Sequence, residues 1–186
     1  MPRLLDRLAI ATHDLILDAR FDALRAEVAG GATGRVLEIG AGTGLNFRFY
    51  PPGVDVTAIE PARALRAEAT RRAEGLDGGA TVRAVYAKAE ALPFDAGSFD
   101  TVVVTFVLCS VAETPREHVE AAHRTTARVQ HALQPVWEHV FGGCSLVRRT
   151  AADVERAGFD VSGLRRVALP LPRIARDGVV GVAVRA

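Results

Sequence analysis

Val36-Leu37-Glu38-Ile39-Gly40-Ala41-Gly42-Thr43-Gly44 sets an apolar run carrying one acid directly against glycine at every second position. The run reads as a buried β-strand, and the glycines as a turn that cradles a ligand. Glycines so closely spaced are costly unless the backbone needs positive φ, or something must approach it without meeting a Cβ. A dinucleotide fingerprint would place its third glycine at position 45, which is Leu45; Gly44 makes the pattern G-x-G-x-G instead. A tight strand-to-helix turn is the plainer alternative for the triplet taken alone.

The next segment adds weight to the ligand reading. Val54-Asp55-Val56-Thr57-Ala58-Ile59 resembles a second buried strand, and it stops at Glu60-Pro61. In doubly wound sheets ligands bind outside the carboxyl ends of the strands, and an acid there can accept both hydroxyls of a ribose. Pro61 suits the first turn of a helix predicted over Arg63 to Glu74, which is rich in Ala, Leu, Arg and Glu. A helix-start acid favourable to the macrodipole is the alternative role of Glu60, and the two roles are compatible.

These residues resemble the class I S-adenosylmethionine-dependent methyltransferases, and among them the small-molecule group related to the methyltransferase-like 7 thiol methyltransferases. The matching stretches are VLEIGAGTGLNFRFYPPG from Val36 to Gly53, AIEP from Ala58 to Pro61, AEALPFDAGSFDTVVVTFVLCSV from Ala89 to Val111, and LQPVWEHVFGGCSLVRRT from Leu133 to Thr150. The resemblance implies an α/β fold: a three-layer Rossmann-like methyltransferase architecture with a mostly parallel sheet ending in an antiparallel hairpin. It also implies S-adenosylmethionine as cofactor and a small-molecule acceptor, with a thiol as one candidate. A non-catalytic, degenerate cofactor-binding homologue is the alternative from another class. A nicotinamide oxidoreductase is disfavoured by Leu45.

By motif match, Glu38 would organise the glycine loop, Gly40, Gly42 and Gly44 would line the methionine and ribose part of the cofactor, and Asn46 would add a polar contact. Glu60, followed by Pro61, would hold the ribose hydroxyls through charge-assisted hydrogen bonds. Ala89 and Glu90 would meet the adenine. Many relatives carry an aspartate just before that alanine, whereas this chain has Lys88, which cannot accept the adenine amino group. Thr105 and Phe106 would face the sulfonium, with Cys109 and Ser110 further along. No Asn-Pro-Pro-Tyr or Asp-Pro-Pro-Tyr tetrapeptide occurs, so the usual apparatus for methylating base amines is missing. No catalytic residue is assigned from the sequence, since a thiol supplies its own thiolate.

Length and composition bound the reading. The 186 residues, 49% of them hydrophobic, suit one domain with a sizeable core. The expected organisation is an N-terminal helical cap over 1–30, a cofactor-binding half over 34–111, and substrate-side helices with the terminal hairpin over 112–186. Lys and Arg total 23 against 22 acids, a net charge of +1 that offers no basic field for nucleic acid. Cys109 and Cys144 have no metal spacing and read as reduced thiols. The five histidines include His118, His123, His131 and His139, whose spacings do not converge on a metal site. No run is long enough for a membrane span, and Met1 to Leu17 carries too many charges for a signal peptide, so a cytoplasmic location is expected.

Along the chain, Leu17, Phe21, Leu24 and Val28 recur at helical spacing. Leu45 to Tyr50 is expected as a short helix stopped by Pro51-Pro52-Gly53. Thr81 to Ala87 reads as a third strand, and Asp100 to Cys109 as a fourth, buried on both faces. Leu164 to Leu169 and Gly178 to Val184 would form the final hairpin around a turn at Arg173 to Asp177. Pro135-Val136-Trp137 and Phe141-Gly142-Gly143-Cys144 suit an acceptor lid, or a helix with an aromatic anchor and a glycine stop. Glu113 to Gln134 is polar and helical in character, with no apolar run in the place of the usual fifth strand. Compared with the family that the chain resembles, roughly 20 to 25 residues of a helix-plus-strand crossover are expected to be missing. Six strands rather than seven are therefore expected, with the hairpin displaced towards the fourth strand or the sheet completed by a second copy in a homodimer.

Overall fold

The computed structural model describes residues 10–11, 14–15, 19–107, 124–140 and 150–185. The chain divides into two compact units, Met1–Phe106 and Val107–Ala186.

The first unit holds four parallel strands in the order β3-β2-β1-β4: β1 Arg35–Ile39, β2 Asp55–Ile59, β3 Thr81–Val85 and β4 Thr101–Val104. Registers align the strand ends, Ile39 standing beside Ile59 and Val104, and Ile59 beside Val85. The strand order reverses at β1, since the chain moves outward through β2 and β3 and then returns to the other side of β1. That reversal opens a crevice between the loops after β1 and β4, the place where doubly wound sheets take ligands.

The core explains why these segments are strands. Val36, Val56, Ala58 and Val103 pack with Ala29, Phe47, Tyr50 and Ala69 on one side of the sheet. On the other, Leu37, Ile59 and Ala87 pack with Phe94 and Phe99, whose rings meet edge to face at 5.1 Å. Flanking helices are α1 Asp22–Gly30 and α2 Arg63–Glu74, the latter with the bounds the sequence predicts. At the opposite end of the strands, the Arg35 backbone N–H and side chain both donate to the Asp100 carboxylate, at 2.8 to 3.1 Å, and fasten β1 to β4.

Three expectations are corrected here. The short helix expected over 45–50 is confined to a single 3-10 turn at Phe47–Phe49, and Tyr50 is extended (φ −67°, ψ 136°), as a residue before proline must be. Within 100–109, the described residues are strand only over Thr101–Val104. That strand is not buried on both faces: Val102 is 54% exposed, and β1 is the neighbour it pairs with.

Among the described residues, the second unit contains helices α3 Arg124–Val140 and α4 Thr150–Arg156 and four short strands. The expected terminal hairpin is present: β6 Leu164–Ala168 pairs antiparallel with β7 Asp177–Gly181, and a 3-10 turn at Arg173–Ala175 lies between them. A further ladder joins β5 Phe159–Asp160 to β8 Val184–Arg185. The described strands thus form one four-stranded parallel sheet and two antiparallel pairs, not a single six-stranded sheet. Pro135 lies inside α3, where it withholds the N–H that His131 would accept four residues earlier. Pro135-Val136-Trp137 is therefore helical, whereas the Phe141 to Cys144 part of the expected lid lies outside the described residues, as do Cys109, Ser110, His118 and His123.

Candidate functional site

The glycine turn has the backbone its sequence demands. Gly40, Gly42 and Gly44 take φ of 69°, 58° and 85°, the left-handed region that other residues avoid. A Cβ on Gly44 would stand 2.5 Å from the Phe47 ring. The turn is tied to β2 because the amides of Gly40 and Ala41 both donate to the Ile59 carbonyl at 3.0 Å.

Glu60, 7% exposed at the end of β2, completes that link. Its Oε2 accepts from the Gly42 N–H at 3.0 Å and its Oε1 from the Ala62 N–H at 2.8 Å. One donor on each oxygen holds the carboxylate in a single orientation, and each oxygen retains a lone pair suited to a hydroxyl donor. Arg66 donates to the Glu60 and Pro61 carbonyls at 2.7 and 3.1 Å and fixes this corner against α2.

Glu38, 1% exposed in β1, anchors a buried polar network beneath the turn. Its Oε1 accepts from the Asn46 side-chain amide at 2.8 Å, and its Oε2 from the Tyr50 hydroxyl at 2.9 Å. The Asn46 nitrogen also donates to Thr105 Oγ1 at 2.8 Å, and Asn46 Oδ1 accepts from Arg25 at 2.7 Å. Burial raises the Glu38 pKa to about 7, against the opposing influence of the Tyr50 and Asn46 hydrogen bonds and the Arg25 charge. The same burial, with the Glu38 charge beside it, pushes the Tyr50 phenol up. Asn46 is 1% exposed, and its side-chain amide meets Glu38, Thr105 and Arg25.

Thr105 and Phe106 follow directly on β4. Phe106 holds φ 58°, a conformation costing roughly 1 to 2 kcal/mol for a residue with a Cβ. Its ring meets Phe21 edge to face at 4.7 Å. After β3, Lys88 and Ala91 form an isolated bridge, with Ala89 half-buried and Glu90 exposed between them. The aligned carboxyl ends of β1, β2 and β4 carry the glycine turn, Glu60, Thr105 and Phe106 to one end of the sheet, while Ala89 and Glu90 lie in the loop after β3.

Sequence reasoning missed Arg25, Tyr50 and the trio Asp14, Thr43 and Arg72. Thr43, fully buried, donates to Asp14 at 2.6 Å and accepts from Arg72 at 3.0 Å, so the turn is held from α2 as well as from the N-terminal segment. The signal for Arg25 was its spacing four residues after Phe21 and four before Ala29, the residues buried with it along α1. Among the described residues no cluster of His, Cys, Asp or Glu could hold a metal ion.

Residues 37–130 match the family model described as a methyltransferase domain. Human thiol S-methyltransferase TMT1B is 36% identical over 164 residues, covering 76% of this chain and 67% of that protein. Human thiol S-methyltransferase TMT1A is 35% identical over 176 residues, covering 81% and 70%. Among solved structures, a SAM-dependent methyltransferase from Methanosarcina mazei superimposes with a TM-score of 0.60 at 16% identity, over 81% of this chain and 92% of that one. Magnesium protoporphyrin IX methyltransferase from Synechocystis, with bound SAM, gives 0.52 at 17% identity, over 100% and 86%. The fold and site thus define a class I methyltransferase architecture. The chain belongs to the methyltransferase-domain family; it is a methyltransferase enzyme acting on a small molecule, and S-adenosylmethionine is its expected cofactor.

Proposed function

We propose that this protein transfers a methyl group from S-adenosylmethionine to a small, apolar thiol, with the cofactor in the crevice between the loops after β1 and β4. The observation that carries the cofactor site is Glu60, a buried carboxylate oriented by two backbone amides at the strand end beside the glycine turn. The thiol acceptor rests on the two human relatives, both named thiol S-methyltransferases.

When bound, S-adenosylmethionine supplies a methyl group on a sulfonium sulfur, which passes to the acceptor sulfur as S-adenosylhomocysteine is left. Glu60 would hold the ribose hydroxyls, and Pro61 would set the carboxylate at the start of α2. Gly40, Gly42 and Gly44 would let the cofactor lie against bare backbone. Glu38 and Asn46 would hold that turn from beneath, Ala89 and Glu90 would flank the adenine, and Thr105 and Phe106 would shield the reacting sulfur from water. No protein base is required, because a thiol of ordinary pKa ionises by loss of its proton to solvent.

The reading keeps the chain as one functional domain, with a 1–30 cap, a 34–111 cofactor half and a 112–186 acceptor side. It also keeps a cytoplasmic location and a small-molecule partner rather than nucleic acid. Among the described residues no helix is long and apolar enough to cross a membrane. A second copy completing the sheet would add to the edge of β4 that faces away from β1.

Isothermal titration with S-adenosylhomocysteine tests the cofactor site. Glu60→Ala should weaken binding by about 1.5 to 3 kcal/mol, the worth of hydrogen bonds to a charged group. Unchanged affinity in the folded variant removes Glu60 from the site.

A further inference from the structure

Arg25 is a buried cation that the glycine turn and Glu60 do not account for. Its side chain is 4% exposed, and a guanidinium out of water is costly unless it is held by partners. Those partners span the crevice. One nitrogen donates to Asn46 Oδ1 at 2.7 Å, on the segment after the glycine turn. The guanidinium carbon lies 5.4 Å from the centre of the Phe106 ring, at the end of β4, within cation–π range. Phe106 keeps a left-handed backbone, which persists where surroundings over-determine it, and Arg25 and Phe21 both lie against its ring.

We propose that Arg25 is a positioning residue of the cofactor pocket, holding Asn46 on one lip and Phe106 on the other, so that helix α1 sets how tightly the cofactor is bound. The inference rests on the cofactor reading given above. Electrostatics tie Arg25 to the network beneath the turn. Burial draws its pKa down, while Glu38, Asp22 and Asp14 favour its charged form and Arg48 opposes it. Glu38 in turn faces Tyr50, Asn46 and Arg25, and the Arg25 charge restrains the rise of its pKa. A residue that merely filled space would leave the Glu38 titration where it is.

The test compares Arg25→Met and Arg25→Lys in the full chain, checked for folding by circular dichroism. S-adenosylhomocysteine affinity is measured by titration calorimetry, and the Glu38 carboxyl is followed by carbon-13 NMR in glutamate-labelled protein. Arg25→Met should bind about tenfold more weakly, the loss expected when a charged hydrogen-bond donor is removed. Its Glu38 midpoint should move to higher pH. Arg25→Lys should return that midpoint towards wild type by restoring the charge, while affinity stays reduced because an ammonium lacks the flat guanidinium face. Wild-type affinity or an unmoved Glu38 midpoint in folded Arg25→Met overturns the proposal. If Arg25→Met does not fold, wild-type affinity in folded Arg25→Lys overturns it instead. Wild-type protein that binds no cofactor defeats the cofactor reading and this inference together, whereas binding by wild type with unchanged variants removes Arg25 alone.

Discussion

Glu38 shows how one buried side chain sets a pH response. In the unfolded chain it ionises near 4.5, and in the folded protein burial lifts that value to about 7. Below the lower value both states are protonated and the site carries no penalty. As pH rises from 4.5 towards 7 the unfolded chain ionises first, so stability falls, and above 7 the loss is complete. The full loss is about 3 kcal/mol from the size of the shift. Glu38→Gln should therefore flatten the dependence of the unfolding free energy between about pH 5 and pH 7, as read by urea denaturation. A slope equal to wild type would mean that another group titrates. The sequence marked Glu38 as a buried acid because it interrupts an apolar strand. It did not reveal Tyr50 and Arg25 as the groups around it, since those contacts link positions 12 and 13 residues away through the fold. Arg25 was hidden for a further reason: the apolar spacing of Leu24 and Val28 suggests a helix face turned slightly away from the stripe of Phe21, Arg25 and Ala29 that is buried.

At the scale of elements, the turn after β1 is where sequence and structure agree most closely. Alternating glycines predicted positive φ, and Gly40, Gly42 and Gly44 all have it. Gly44→Ala should destabilise the protein by about 2 to 4 kcal/mol, combining left-handed strain with displacement of a packed ring. The ring is that of Phe47, which is 2% exposed. Chemical denaturation measures it, and a loss below about 1 kcal/mol would show that the ring yields freely. Helix α2 and strands β1, β2 and β3 were legible because propensity, proline placement and burial point the same way. The segment 45–50 was legible only in part: Pro51-Pro52 forces Tyr50 into an extended conformation and leaves a 3-10 turn over Phe47–Phe49. β4 was overestimated because a run of valines and threonines looks the same whether one face or both are covered.

For the whole molecule, strand order carries the functional argument. The order β3-β2-β1-β4 levels the strand ends and places the glycine turn and Phe106 on either side of the point of reversal. That order was not readable from hydrophobic pattern, which locates strands without saying which of them pair. Among the described residues the parallel sheet has four strands, and its last strand exposes Val102. The terminal hairpin was legible through its two β-rich runs, whereas the β5 and β8 pair of two residues each was too short to leave a pattern. Methyl transfer to a small thiol is measured by incubating the protein with methyl-deuterated S-adenosylmethionine and a small apolar alkyl thiol, and following the products by mass spectrometry. A thioether carrying the deuterated methyl should form with an equal amount of S-adenosylhomocysteine; if folded, cofactor-binding protein forms neither across a panel of thiols, the chain is not a thiol methyltransferase.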